Sequence, residues 1–169
     1  MTEMAEMAEM ADRIHTHDRI HTHRMKFWGR QRAFYEAQLR LTTAAKKGLG
    51  DPVLGELVVL RASQLNRCAF CIDMHVTNLR QAGVAQQRID LLAAWEEAGA
   101  LYSERERAAL ALTEAVTLLT GGFVPDAVYD RAAAHFDERE LAHLIAVIVA
   151  INNWNRVNVT IRQPPGVEL

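Results

Sequence analysis

The stretch from Asn66 to His75, NRCAFCIDMH, holds both cysteines of the chain three positions apart, with a histidine four positions beyond the second. On a helix, steps of 100° gather Cys68, Cys71 and His75 into a sector of about 60°. Alpha carbons three residues apart lie about 5 Å from one another, inside the span that a disulfide bridges, so the pair is set to open and close with little backbone movement. Thiolate is the reactive form, and a free thiol with a pKa of about 8.5 needs help to reach it. A helix amino terminus offers that help if Asn66 or a neighbour caps the helix and leaves Cys68 in its first turn. His75, one turn past Cys71, adds an imidazole able to shuttle a proton. Glu56, a carboxylate in the apolar run LGELVVL, is a candidate third member that would orient the imidazole and raise its basicity.

Other readings of the same residues stand beside this one. Unreactive cysteines are among the most buried residue types and pack as small hydrophobes. Zinc held by Cys68, Cys71, His75 and Glu56 is a second alternative, although zinc motifs bring a further CxxC or HxxxH that is missing here outside the first 26 residues. Glu56 alone reads as a solvated charge, and His75 alone as a structural histidine. A thioredoxin fold has no support, because no βαβ pattern surrounds the CxxC.

The rest of the chain narrows the setting. Its 169 residues suit one domain with a hydrophobic core. Nineteen basic and 21 acidic residues, without a basic stripe, give a net charge of −2 and no footprint for nucleic acid. No apolar run approaches the length of a membrane span and no secretory signal opens the chain, so the expected location is cytoplasmic. In that reducing compartment two cysteines read as catalytic or metal-binding rather than as a structural staple.

Residues 1–26 form a low-complexity leader: AEMAEMAEM, then DRIHTH twice, which places His15, His17, His21 and His23 together. Paired HxH groups chelate transition metals, but such a segment reads first as a frayed or disordered extension. The domain proper is expected over 27–169. FWGRQRAFYEAQLRLTTAAKK predicts one helix, closed by two lysines and Gly48. Asp51 and Pro52 open a second helix with Leu54, Val58, Arg61 or Ala62, and Leu65 along one face. The cysteine helix starts near Asn66 and stops at Gly83, and LLAAWEEAG makes a short amphipathic piece ending at Gly99. Ser103 with Glu106, and Asp137 with Glu140, carry capping-box spacing, while Pro125 starts a helix between them. The run LAHLIAVIVAINNWNRV is apolar on nearly every side up to Asn152 and belongs in the core or at a subunit contact. Trp28, Trp95 and Trp154 read as packing aromatics, Asn155 and Arg156 as helix-end groups, and His135 and His143 carry no visible partner. With no strand alternation, the expectation is an all-α domain of about six or seven helices.

Glu56, eleven residues, then CAFCIDMH resembles the E-x11-C-x2-C-x3-H signature of the alkyl hydroperoxide reductase D-like branch of the carboxymuconolactone decarboxylase family. LVVLRASQLNRCAFCIDMH and INNWNRVNVTIRQPPG look like the same branch, so the likeness runs from about residue 30 to 166. The resemblance implies an all-helical, AhpD-like homo-oligomer, a trimer or hexamer, with metal-free and cofactor-free thiol peroxidase or disulfide reductase activity. It makes Cys71 the peroxide-attacking cysteine, Cys68 its resolving partner, and Glu56 with His75 the proton relay. Here it pulls against the helix dipole, which favours Cys68 as the thiolate. Some members carry a histidine just before the second cysteine, where this chain has Phe70. The implied partners are a hydroperoxide substrate and a thiol or lipoyl-type reductant protein that reopens an exposed disulfide. Disulfide exchange with a protein, a redox-sensing binding module, and lactone decarboxylation remain the alternatives; the last has no use for a dithiol.

Overall fold

The computed structural model describes residues 23–167. Most of the low-complexity leader, including His15, His17 and His21, lies outside the described residues. Among them the chain forms eight α-helices and no strand.

The predicted first helix is two. Helix α1 spans Phe27–Arg30 and α2 spans Arg32–Leu49, parted at Gln31, whose backbone leaves helical geometry at φ −118° and ψ 54°. The break turns Trp28 back into the core. Lys46 and Lys47 do lie in the last turn of α2, where cations face the carboxyl-terminal dipole. The glycine that ends the helix is Gly50, at φ 70°, rather than Gly48. Gly48 serves a packing role instead: a β-carbon there would fall 1.9 Å from His143 Nε2, so the imidazole occupies the space a side chain would need.

Helix α3, Pro52–Leu65, begins as the sequence indicates, with the Asp51 carboxylate accepting from the Leu54 amide at 3.0 Å. Its burial is broader than one stripe, because α4, α6 and α8 all pack against it. Leu57 and Leu60 are buried along with Leu54, Val58 and Ala62. Asn66 closes α3 and does not open the next helix. The chain turns through Arg67 in left-handed geometry, φ 55°, and α4 runs Ala69–Gln81 with Cys68 as its N-cap. Gly83 follows at φ 76°.

Helix α5, Gln86–Asp90, leads into two short 3-10 turns, Leu91–Ala94 and Gly99–Leu101, where the sequence suggests one amphipathic piece. Helices α6 (Glu104–Thr117) and α8 (Glu138–Ile161) both start at complete capping boxes, Ser103 with Glu106 and Asp137 with Glu140. Helix α7, Asp126–Ala133, follows Pro125. By length and composition α8 is apolar enough to cross a bilayer, with mean hydropathy 1.2 over its best window, against the expectation that no segment reaches that threshold. Half of that window is buried inside the domain, where α8 packs on α2, α3 and α6 as the core helix.

Two hydrophobic clusters result. The larger joins Trp28, Leu49, Leu54, Val58, Leu144, Ile148 and Trp154 from α1, α2, α3 and α8. The smaller joins Leu57, Leu60, Leu79, Leu92, Trp95 and Leu110 on the other side of α3. A fully buried leucine contributes roughly 1.5–3 kcal/mol relative to exposure. The stub before α1 is pinned to the end of α8 by the Arg24 amide on Ile161 O at 2.9 Å and its guanidinium on Thr160 O at 3.0 Å.

Candidate redox site

Cys68 and Cys71 are joined in a disulfide with α-carbons 5.3 Å apart. The N-cap position gives Cys68 extended geometry, φ −87° and ψ 92°, and its sulfur accepts from the Cys71 amide at 3.4 Å. The sulfur therefore caps the helix instead of lying within its first turn. Neither cysteine is exposed, at 2% and 1% of full accessibility, which corrects the expectation of a surface disulfide. Cys71, and not Cys68, lines a cleft of about 610 Å³ between α2, α4 and α8. The walls are mainly apolar, with Tyr35, Leu39, Val59, Phe70, Met74 and Trp154 prominent. Phe70 contributes hydrophobic wall to the cleft and no titratable group.

Glu56 and His75 meet as the sequence suggests: His75 Nδ1 lies 2.8 Å from Glu56 Oε2. Two further donors complete the carboxylate, Lys46 Nζ on Oε1 at 2.5 Å and Asn78 Nδ2 on Oε2 at 3.1 Å. Burial pushes the Glu56 carboxyl upward, but the His75 hydrogen bond and charge, with Lys46, outweigh it and hold the group at about 2. Glu56 is thus ionised at any ordinary pH. An ionised Glu56 beside Nδ1 fits the orienting carboxylate read from the sequence, whereas the resemblance would make it part of the proton relay. With Nδ1 committed to the carboxylate, the other nitrogen, Nε2, is buried and has no hydrogen-bond partner in the protein. An unpaired buried nitrogen is costly unless something in the cleft completes it.

The floor of the site is held from α8. Asn158, 3% exposed, directs Nδ2 at Cys71 Sγ across 3.6 Å, while its Oδ1 accepts from Trp28 Nε1 at 3.0 Å. Trp154 also lines the cleft and donates to Thr42 Oγ1 at 2.8 Å, so it is more than core packing. Asn155 and Arg156 lie inside α8 rather than at its end. The side-chain Oδ1 of Asn155, with that of Asn152, accepts from Asn66 Nδ2 at 3.0 and 2.9 Å, anchoring the turn that leads into Cys68. Arg156 donates to Asn152 Oδ1 at 2.8 Å. Trp95 is a buried member of the smaller cluster and donates to Glu114 Oε1 at 2.7 Å.

Lys46, Asn78 and Asn158 were missed by sequence reasoning. Lys46 sits on another helix with no periodic relation to Glu56. Asn158 carried a signal, since it is one turn after Trp154 on the same face of an apolar helix. Among the described residues no group of three or more His, Cys, Asp or Glu side chains is arranged to hold a metal.

The family model of the carboxymuconolactone decarboxylase family matches residues 32–115. The uncharacterized protein YdfG of Bacillus subtilis is 46% identical over 104 residues, 62% of this chain and 70% of that one. The alkyl hydroperoxide reductase AhpD of Solibacter usitatus is 40% identical over 53 residues, 31% of this chain and 29% of that protein. Among solved structures, a protein of unknown function from Agrobacterium tumefaciens, provisionally designated antioxidant defence protein AhpD, superimposes with TM-score 0.82 and 34% identity. That match covers 87% of this chain and 100% of the other.

Proposed function

The chain belongs to the AhpD-like branch of the carboxymuconolactone decarboxylase family, and from that premise we propose that it is a thiol-dependent oxidoreductase that reduces organic hydroperoxides through the Cys68–Cys71 pair. The observation that carries the reading is a disulfide whose Cys71 side lines an apolar cleft beside a histidine with a free, buried Nε2.

The cycle starts from the reduced pair. His75 Nε2 takes the proton of the Cys71 thiol, and Glu56 stabilises the imidazolium through Nδ1. The Cys71 thiolate attacks the terminal oxygen of R–O–OH; the S–O bond forms as the O–O bond breaks, and the departing alkoxide takes the proton from Nε2 to leave as ROH. Cys71 is then a sulfenic acid. The Cys68 sulfur displaces its hydroxyl, which leaves as water with the Cys68 proton, and the disulfide closes. A dithiol supplies two electrons and two protons to reopen it. Because the sulfurs are buried, a slender lipoyl-type arm that enters the cleft suits the geometry better than a flat protein face. A reducing, cytoplasmic setting would keep such a donor available. Leu39, Met74 and Val167 at the cleft are 42%, 40% and 44% exposed, which favours a homo-oligomer that covers them.

Mass spectrometry after hydroperoxide treatment tests the cycle: loss of two hydrogens in the native chain, and a persistent sulfenic acid at Cys71 in Cys68→Ser. Dithiol-dependent consumption of an organic hydroperoxide should accompany it. Efficient reduction of protein disulfides with no hydroperoxide turnover would replace this reading with disulfide exchange. Lactone decarboxylation leaves the joined sulfurs without a task.

A further inference from the structure

We infer that Asn158 is the hydrogen-bond donor that holds the Cys71 sulfur as the attacking anion, with Trp28 as the positioning residue that aims it. The inference rests on the reading of Cys71 as the sulfur that meets the substrate, and it adds to the base at His75 a second physical reason for Cys71 to outcompete Cys68. Cys68 receives the Cys71 amide at 3.4 Å and stands at the amino terminus of α4. On backbone electrostatics alone Cys68 is the more acidic thiol.

Asn158 offsets that bias. An indole N–H only donates, so the amide oxygen of Asn158 must face Trp28 Nε1, where it lies at 3.0 Å. The opposite orientation would set two donors against each other. The NH2 group is thereby fixed toward Cys71 Sγ, at 3.6 Å, in a site where the amide is 3% exposed. Trp28 is itself immobilised by Trp154, at 4.6 Å between ring centroids, and by Tyr35 at 5.7 Å. A donor held at a sulfur strengthens when that sulfur becomes an anion, and burial removes the water that would compete. Asn158 and Trp28 both fall outside residues 32–115, which the family model matches.

The test uses the Cys68→Ser chain, which leaves one thiol, and follows its alkylation by iodoacetamide from about pH 5 to about pH 10. Asn158→Leu removes the donor, and the titration midpoint should rise by about one pH unit or more, a loss of about tenfold or more in neutral-pH alkylation. Asn158→Asp keeps the acceptor for Trp28 and should raise the midpoint further, by placing a carboxylate at the sulfur. Trp28→Phe keeps the ring but frees the amide, giving a smaller rise of the same sign. An unmoved midpoint in Asn158→Leu with native helical content overturns the inference. Should that variant fail to fold, unmoved midpoints in Asn158→Asp and Trp28→Phe overturn it equally. Alkylation requires no hydroperoxide: a shifted midpoint without peroxidase activity sinks the function and leaves Asn158, and the converse sinks Asn158 alone.

Discussion

On one side of α3, Leu57 and Leu60 meet Leu79, Leu92 and Leu110 in a cluster built almost wholly of hydrocarbon. On the other, Glu56, Val59 and Ser63 face a partly buried polar assembly: Lys46 and His75 on the carboxylate, Asn155 on Ser63, and Asn158 on the sulfur. The first side gains stability from each buried methylene. The second must satisfy every donor and acceptor to avoid a penalty, and it leaves one nitrogen, His75 Nε2, without a partner. A single helix thus separates a region dominated by hydrocarbon packing from one dominated by polar contacts.

The sharpest way to break this contrast is Cys71→Ser, for which hydroperoxide turnover should fall at least about a thousandfold while the chain still melts cooperatively. Full turnover in that variant would move the attacking role to Cys68. The mirror experiment is Leu60→Ala in the hydrocarbon cluster. Chemical denaturation should show a loss of about 2–5 kcal/mol, with the Cys71 alkylation rate of the folded protein unchanged.

Acid sharpens the polar side. Glu56 titrates at about 2 when folded against an ordinary 4.5, so its stabilisation is complete above about 4.5 and is lost as pH falls toward about 2. The amount is on the order of 3 kcal/mol, and it should vanish from the difference between native and Glu56→Gln unfolding curves across that window. The same variant should lower turnover about 10- to 100-fold, because it weakens the support of the imidazole without removing the proton carrier. If Glu56→Gln left turnover intact, the carboxylate would belong with the packing residues. The smallest effect is expected from Asp137→Ala. Loss of that cap should cost about 1 kcal/mol in the melting curve and leave both the thiol titration and turnover alone.

Several local signals in the sequence translated into structure, although Gly48 as the helix-ending residue and Asn66 as an N-cap did not. The capping boxes at Ser103 and Asp137, the Asp51 N-cap and the Cys68–Cys71 pairing each depend on residues within a turn or two. Glu56 was reachable because its distance from the cysteines matched a known signature. What stayed hidden depends on how helices lie across one another. The break at Gln31 has no proline or glycine at the position itself, and Gly29, two residues earlier, lies within α1. The second buried face of α3 follows from having three neighbours, which one helix's periodicity does not report. Lys46 reads as a carboxyl-terminal cation until the crossing of α2 and α3 brings it to Glu56. Cys68 as an N-cap was hidden for a subtler reason, because cysteine is a rare substitute for serine or aspartate at that position.

The bare α-carbon at Gly48 sets the gauge between α2 and α8. His143 rests its ring where any larger residue would protrude, so a methyl group at 48 has to evict that ring or wedge the helices apart. Lys46 lies half a turn earlier on α2, and a wedge at 48 would tip its ammonium away from Glu56. The Lys46–Glu56 pair is therefore sensitive to a change at a position that carries no side chain of its own, through the clearance between two rods.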